Sequence, residues 1–254
     1  MTAGVFDSGV GGLSVTKSLI DAKIFDEIVY YGDTARVPYG SKDENTIVRY
    51  SLEAVEFFKN FGIDILITAC NTVSSYALDE MRKIAPFEIV GVIEPGVLAI
   101  KNQNPAKDAN ILVIGTKATI NSRKYQNMLE NEGFTNITAI ETGLFVPLVE
   151  DGIFDGELME AALNHYFKDI KEPDFIILGC THFPLIASAI ENYFKKSKLV
   201  HSGEAIVDYL RESHNITHKA DEINLRLFAS SSPERLQSTA QIWLKGSEYK
   251  CIKR

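Results

Sequence analysis

Short runs of apolar and β-branched residues alternate along this chain with longer stretches whose apolar residues recur every three or four positions. The short runs are 4–6, 28–31, 63–69, 88–93, 111–114, 137–141, 175–179 and 199–201. Runs that are hydrophobic almost without a break belong to strands covered on both faces, as in a parallel sheet flanked by helices. The longer stretches, 46–60, 74–84, 123–132, 157–170 and 185–195, carry helical spacing. The pattern predicts an α/β protein built from repeated strand–helix units.

The eight runs fall into two sets of four at a nearly constant offset. Cys180 follows Cys70 by 180 − 70 = 110, Val146-Pro147 follows Val37-Pro38 by 146 − 37 = 109, and Thr116 follows Asp7 by 116 − 7 = 109. Any α/β chain repeats its periods, but matched punctuation residues point to a duplicated unit. The expected architecture is two pseudo-symmetric parallel-sheet α/β domains facing each other across a cleft. The tail, with a helix-like 205–211, a strand-like 225–229 and a helix-like 233–244 that holds the only Trp, does not fit the repeat. It is expected to return to the first domain, giving 1–93 with 206–254 as one domain and 94–205 as the other. Glu94-Pro95-Gly96 and Ser202-Gly203 are the expected hinges, from their Pro and Gly content. Ligands bind beyond the carboxyl ends of parallel strands, which places a site in the cleft.

Composition narrows the classes. With 254 residues, 45% of them hydrophobic and 24% charged, the chain has material for a substantial core. A net charge of −8 lacks the basic footprint of a nucleic-acid or anionic-membrane partner. There is no basic leader followed by an apolar stretch, and no uncharged run of the roughly 20 residues that cross a bilayer. A cytoplasmic location is expected, where the three cysteines are free thiols and not a disulfide framework.

Candidate chemistry gathers at the strand ends. Ala69-Cys70-Asn71-Thr72 and Gly179-Cys180-Thr181-His182 each close a hydrophobic run and open a helix-like stretch. A thiol at a helix start feels the positive end of the peptide dipoles. A single such Cys reads best as a buried structural thiol; two at matched strand ends read as function. Cys180 and His182 alone lack the further ligands of a zinc site, so no metal is expected. Asp7-Ser8-Gly9-Val10-Gly11-Gly12 follows the first strand, and its glycines also form an imperfect dinucleotide fingerprint with Ser14 in the third Gly position and Asp33 as a possible ribose-binding acid. Tyr39-Gly40 ends a loop after the second strand. The matching 145–152 segment offers Glu150 as a cleft carboxylate, although a surface acid would look the same. Thr116 and Thr119 are donors at a helix start, or plain caps. His214, His218 and Cys251 read as solvated or incidental.

Two thiols, the acids Asp7 and Glu150, a His and many neutral donors suit removal of a proton from one face of a carbon and its return on the other. The residues resemble the glutamate racemases over essentially the whole length. The carriers are Gly4-Val5-Phe6-Asp7-Ser8-Gly9-Val10-Gly11-Gly12, Tyr31-Gly32-Asp33 with Val37-Pro38-Tyr39-Gly40, Ala69-Cys70-Asn71-Thr72, and Gly179-Cys180-Thr181-His182-Phe183-Pro184-Leu185. The last of these is the most specific. The resemblance implies Cys70 and Cys180 as the acid/base pair, with Asp7, Glu150 and His182 assisting. It implies glutamate contacts from Asp7, Ser8, Tyr39, Gly40, Asn71, Thr72, Thr116, Thr119, Thr181 and His182. It also implies D-glutamate supply for peptidoglycan, no pyridoxal phosphate, no metal, and often a homodimer. Val73 departs from the Ala expected after Asn-Thr, a change expected to affect packing only. The competing readings are a racemase or isomerase of the same fold acting on aspartate or a related small acid, a nucleotide-binding oxidoreductase using the glycine loop, and a non-catalytic interaction protein.

Overall fold

The computed structural model describes residues 1–251. The first half runs β1 (Thr2–Asp7), α1 (Leu13–Ala22), β2 (Glu27–Gly32), α2 (Glu44–Phe58), β3 (Ile65–Thr68), α3 (Asn71–Tyr76), α4 (Leu78–Ile84), β4 (Glu88–Gly91) and α5 (Ile93–Lys101). The second runs β5 (Asn110–Gly115), α6 (Lys117–Asn121), α7 (Lys124–Asn131), β6 (Asn136–Glu141), α8 (Phe145–Glu150), α9 (Gly156–Phe167), β7 (Phe175–Gly179), α10 (Ala187–Tyr193) and β8 (Lys198–His201). The tail adds α11 (Ser202–Ser213), β9 (Asn224–Ala229), α12 (Pro233–Trp243) and β10 (Lys250–Cys251).

The strands form two wholly parallel sheets, one ordered β10-β9-β2-β1-β3-β4 and the other β6-β5-β7-β8. The order β2-β1-β3-β4 recurs as β6-β5-β7-β8, so each half is built to the same plan. Side chains alternate between the faces of each sheet. Val5 and Ile67 pack with α1, α11 and α12, while Phe6 and Leu66 pack with α2 and α3. In the second sheet Val113 and Ile177 meet α5 and α7, and Ile114 and Leu178 meet α8, α9 and α10. Four apolar layers on two sheets account for the unbroken hydrophobic runs.

Several elements depart from the sequence pattern. The 74–84 stretch begins earlier, at Asn71, and is broken at Ala77, which caps α3 and opens α4. The 185–195 stretch starts as a 3-10 turn, Phe183–Ile186. Glu94-Pro95-Gly96 is the opening of α5, where a Pro lacks only an N–H that no helical carbonyl needs. Within the 145–152 segment, Phe145–Glu150 forms the helix α8, and Glu150 stands at its last turn. In the tail, β9 lies beside β2, with Leu236 and Ala240 of α12 buried in the first sheet's core. Among the described residues no helix is long and apolar enough to cross a membrane.

Candidate active site

The carboxyl ends of β1, β3 and β7 deliver the chemistry. Asp7 closes β1 and is fully buried; Cys70 follows β3 and caps α3; Cys180 follows β7. Together with Ser8, Tyr39, Gly40, Asn71, Thr72, Thr116, Thr181 and His182, the two cysteines line one cavity. Its free space is about 20 Å³, roughly the room of one water. A cavity of about 370 Å³ elsewhere, bounded by Arg82, Lys124 and His214, contains none of these residues; chemistry, not size, marks the site.

The two thiols have different neighbours. Cys70 Sγ donates to Ser8 Oγ at 3.5 Å. Burial, and after it the Asp7 charge, pushes this thiol up to about 12, against the pull of the Val73 N–H and the Ser8 hydroxyl. The Cys180 charge adds to the rise, so the sulfurs feel one another. Burial also raises the Asp7 carboxyl, opposed by His182, by the N–H groups of Gly9 and Gly12 and by Thr181. Asp7 accepts from the Gly9 N–H at 2.9 Å and from Thr181 Oγ1 at 3.2 Å. It is thereby tied to both halves of the chain.

On the other side, Cys180 Sγ lies 3.7 Å from His182 Nδ1, and His182 Nε2 lies 2.6 Å from Glu150 Oε1. Burial alone would lower the His182 pKa, but the hydrogen bonds and charges of Cys180 and Glu150 outweigh it and raise it to about 10. The raised pKa favours the imidazolium form of the ring. Burial pulls Glu150 up, yet the hydrogen bond and charge of His182, followed by Arg235, hold its carboxyl below the usual range.

Neutral donors fill the rest. The hydroxyls of Thr72 and Thr116 share a hydrogen bond at 3.0 Å, as do those of Thr116 and Thr119, and Thr72 lies 3.4 Å from Thr119. Thr116 is also the cap of α6, accepting from the Thr119 N–H, so cap and cavity wall are one residue. Tyr125 donates to Asn71 Oδ1 at 2.7 Å and fixes that carboxamide. The Tyr39 hydroxyl is held by Asp33. Asp33, the possible ribose acid, also accepts from Arg36 and Ser230 and is fully buried. The glycine loop has a further use: a Cβ at Gly11 would lie 2.3 Å from Thr181 Oγ1 and 2.7 Å from His182 Cε1. At Gly11 its backbone is pressed against the second half. Among the described residues no three His, Cys, Asp or Glu side chains gather as a metal site. Val73, in the position of the expected Ala, is fully buried.

Sequence reasoning missed Arg235, Trp243 and Tyr125. Arg235 Nη2 lies 3.0 Å from Glu150 Oε2, and the Trp243 ring stands edge-on to His182 at 6.3 Å.

The sequence profile described as Asp/Glu/Hydantoin racemase matches residues 11–210. The chain belongs to this family and is an isomerase of amino acids. Within the family, full-length relatives carry the name glutamate racemase. The one from Nitratiruptor sp. is 59% identical over 246 residues, covering 96% of this chain and 97% of the relative. The one from Campylobacter jejuni is 56% identical over 245 residues, covering 96% and 98%. The crystal structure of glutamate racemase from Campylobacter jejuni subsp. jejuni superposes with a TM-score of 0.93, covering 97% of this chain and 99% of that one at 56% identity. The Francisella tularensis enzyme in complex with D-glutamate gives 0.83 at 29% identity, covering 99% and 97%.

Proposed function

We propose that this chain interconverts L- and D-glutamate by passing the Cα proton between Cys70 and Cys180, and supplies D-glutamate for peptidoglycan. The observation that carries this is two buried cysteines at equivalent strand ends, lining one cavity from the two halves of a duplicated fold. One sulfur, as thiolate, takes the proton on one face of Cα while the other, as thiol, gives one on the opposite face; in the reverse direction the roles exchange. A Cα–H beside a carboxylate is far less acidic than a thiol, so fixed donors must stabilise the negative charge that develops at Cα. The hydroxyls of Ser8, Thr72, Thr116, Thr119 and Thr181, the Asn71 carboxamide and the Tyr39-Gly40 backbone are the donors we assign to the substrate's carboxylates. Asp7 holds the ammonium group and serves the Cys70 side. His182 and Glu150 serve the Cys180 side, where an imidazolium N–H faces the sulfur as negative charge forms on it.

In heavy water the enzyme is expected to wash deuterium into Cα of either glutamate enantiomer. Cys70→Ala and Cys180→Ala are each expected to lower racemisation by a factor on the order of 10³ or more. Full activity in either variant would sink the two-thiol mechanism. The family also spans aspartate and hydantoin substrates by its description, so turnover of D-glutamate against D-aspartate separates glutamate from a smaller acid. The same reading carries a division into 1–93 with 206–254 and 94–205, a homodimer, and a cytoplasmic location. Light scattering on the purified protein tests the dimer.

A further inference from the structure

We propose that Arg235, on the C-terminal helix α12, is a positioning residue for racemisation: it anchors one oxygen of Glu150 so that the other stays on His182 and the imidazole stays on Cys180. The inference rests on the proposed roles of Cys180, His182 and Glu150.

Each Glu150 oxygen has its own partner. Oε1 meets His182 Nε2 at 2.6 Å, and Oε2 meets Arg235 Nη2 at 3.0 Å. The same guanidinium nitrogen lies 3.4 Å from the Glu150 main-chain carbonyl, so it also grips the end of α8. A carboxylate with one partner turns about its terminal bond, whose rotamers are broad. A carboxylate held from two sides does not. Arg235 is delivered by the tail that returns to the first sheet. Leu236, the next residue, is buried in the first sheet's core, and α12 follows β9, which pairs with β2. Two turns on, Trp243 sets its ring against His182. One helix of the first half thus supports both members of the pair that serves the second half's cysteine.

Arg235 is more than half exposed, at 62%, so solvent and salt screen its effect and it tunes the pair without making it. The titratable and charged groups facing Glu150 are His182, Arg235 and Tyr30; those facing His182 are Cys180, Glu150 and Asp7. Of these, Arg235 is the one whose removal takes a positive charge from Glu150 and leaves the cavity lining intact.

The test is steady-state racemisation from acid to neutral pH by the wild type, Arg235→Ala, Arg235→Gln, Arg235→Lys, Glu150→Gln and the double variant Arg235→Ala/Glu150→Gln. In Arg235→Ala kcat is expected to fall about two- to fivefold with KM nearly unchanged, the size an exposed ion pair supports. Losing the cation lets Glu150 take a proton at higher pH, so the acid limb moves up. Arg235→Lys restores both, high salt in the wild type imitates the loss, and removing Arg235 from Glu150→Gln costs nothing further. Enantiomers are equal in free energy, so kcat/KM falls equally in both directions. Trp243 is the only Trp, and its emission together with the melting temperature reports whether α12 is still docked. If Arg235→Ala undocks the helix, Arg235→Gln, which keeps a long polar side chain without the charge, gives the reading. Wild-type kcat and acid limb in the charge-free variants, beside an impaired Glu150→Gln, overturn the role of Arg235 alone. An equal loss in the Glu150→Gln background overturns it too, because Arg235 then acts through something else. A fully active Glu150→Gln removes the Glu150 role itself, and this inference with it.

Discussion

Cys70 sits beside a carboxylate and a hydroxyl, while Cys180 sits beside a histidine ring backed by a carboxylate. Burial, with Asp7, raises the Cys70 thiol to about 12, so on the proposed mechanism this sulfur begins as the proton donor. To act as base it needs an opposite charge close by, and the ammonium group of a bound amino acid is one. His182 carries the complementary charge. Its pKa in the fold, about 10, lies above the ordinary 6.5. The stability it contributes is therefore complete below about 6.5 and is lost as pH rises through about 10. The melting temperature of the wild type, compared with that of His182→Asn, is expected to fall across that window. Racemisation should lose rate over the alkaline part of it, as the ring stops donating. The Cys70 thiol, raised from 9.0 to about 12, has the same sign from about pH 9 upward and is common to both proteins in the comparison. A flat difference in melting temperature would show that the pair is uncharged.

At the scale of elements, the two halves meet where a side chain has no room. A Cβ at Gly40, in the turn after β2, would lie 2.4 Å from Thr116 Cβ at the start of α6. Gly40→Ala is therefore expected to hold the halves apart. Racemisation should drop on the order of 10²-fold, the cost of displacing reacting groups by about 1 Å, with little change in melting temperature because separation relieves the clash. Gly143→Ala, where a Cβ meets nothing within 4 Å, is the control. Unchanged kinetics in Gly40→Ala would mean that the close approach is not part of the competent form. This contact has no signature in the sequence: Tyr39-Gly40 and Thr116 read as a turn and a cap, and only the fold joins them. The strands were legible because burial on both faces leaves an unbroken apolar run, and the thiols because they sit where those runs end. Arg235 was not legible. Its partner lies 85 residues away, and Pro233-Glu234-Arg235 looks like any opening turn of a helix. The break at Ala77 was hidden for the opposite reason, since apolar periodicity runs through it.

For the whole molecule, duplication explains why one cavity receives a thiol from each side. Corresponding strands β1/β5 and β3/β7 end in the same place in two copies of one plan, and the copies face one another. The constant offset between Cys70 and Cys180 is the trace of that plan in the sequence, and the tail that breaks the repeat supplies the helix touching His182 and Glu150. The arrangement also sets a kinetic demand. The cavity's free space is near one water's volume, and on the proposed reading the halves part before glutamate binds and close before a proton moves. Trp243 is placed to report this, because it packs against the cores of both halves. In Cys70→Ser, which keeps the cavity shape but removes the thiol, mixing with D-glutamate is expected to change Trp243 emission. Its rate should level off as glutamate rises, because opening then limits binding. The plateau rate should fall in viscous solvent. A rate that climbs in proportion to glutamate without levelling would mean that opening is too fast to gate the site, and that closure acts only after binding.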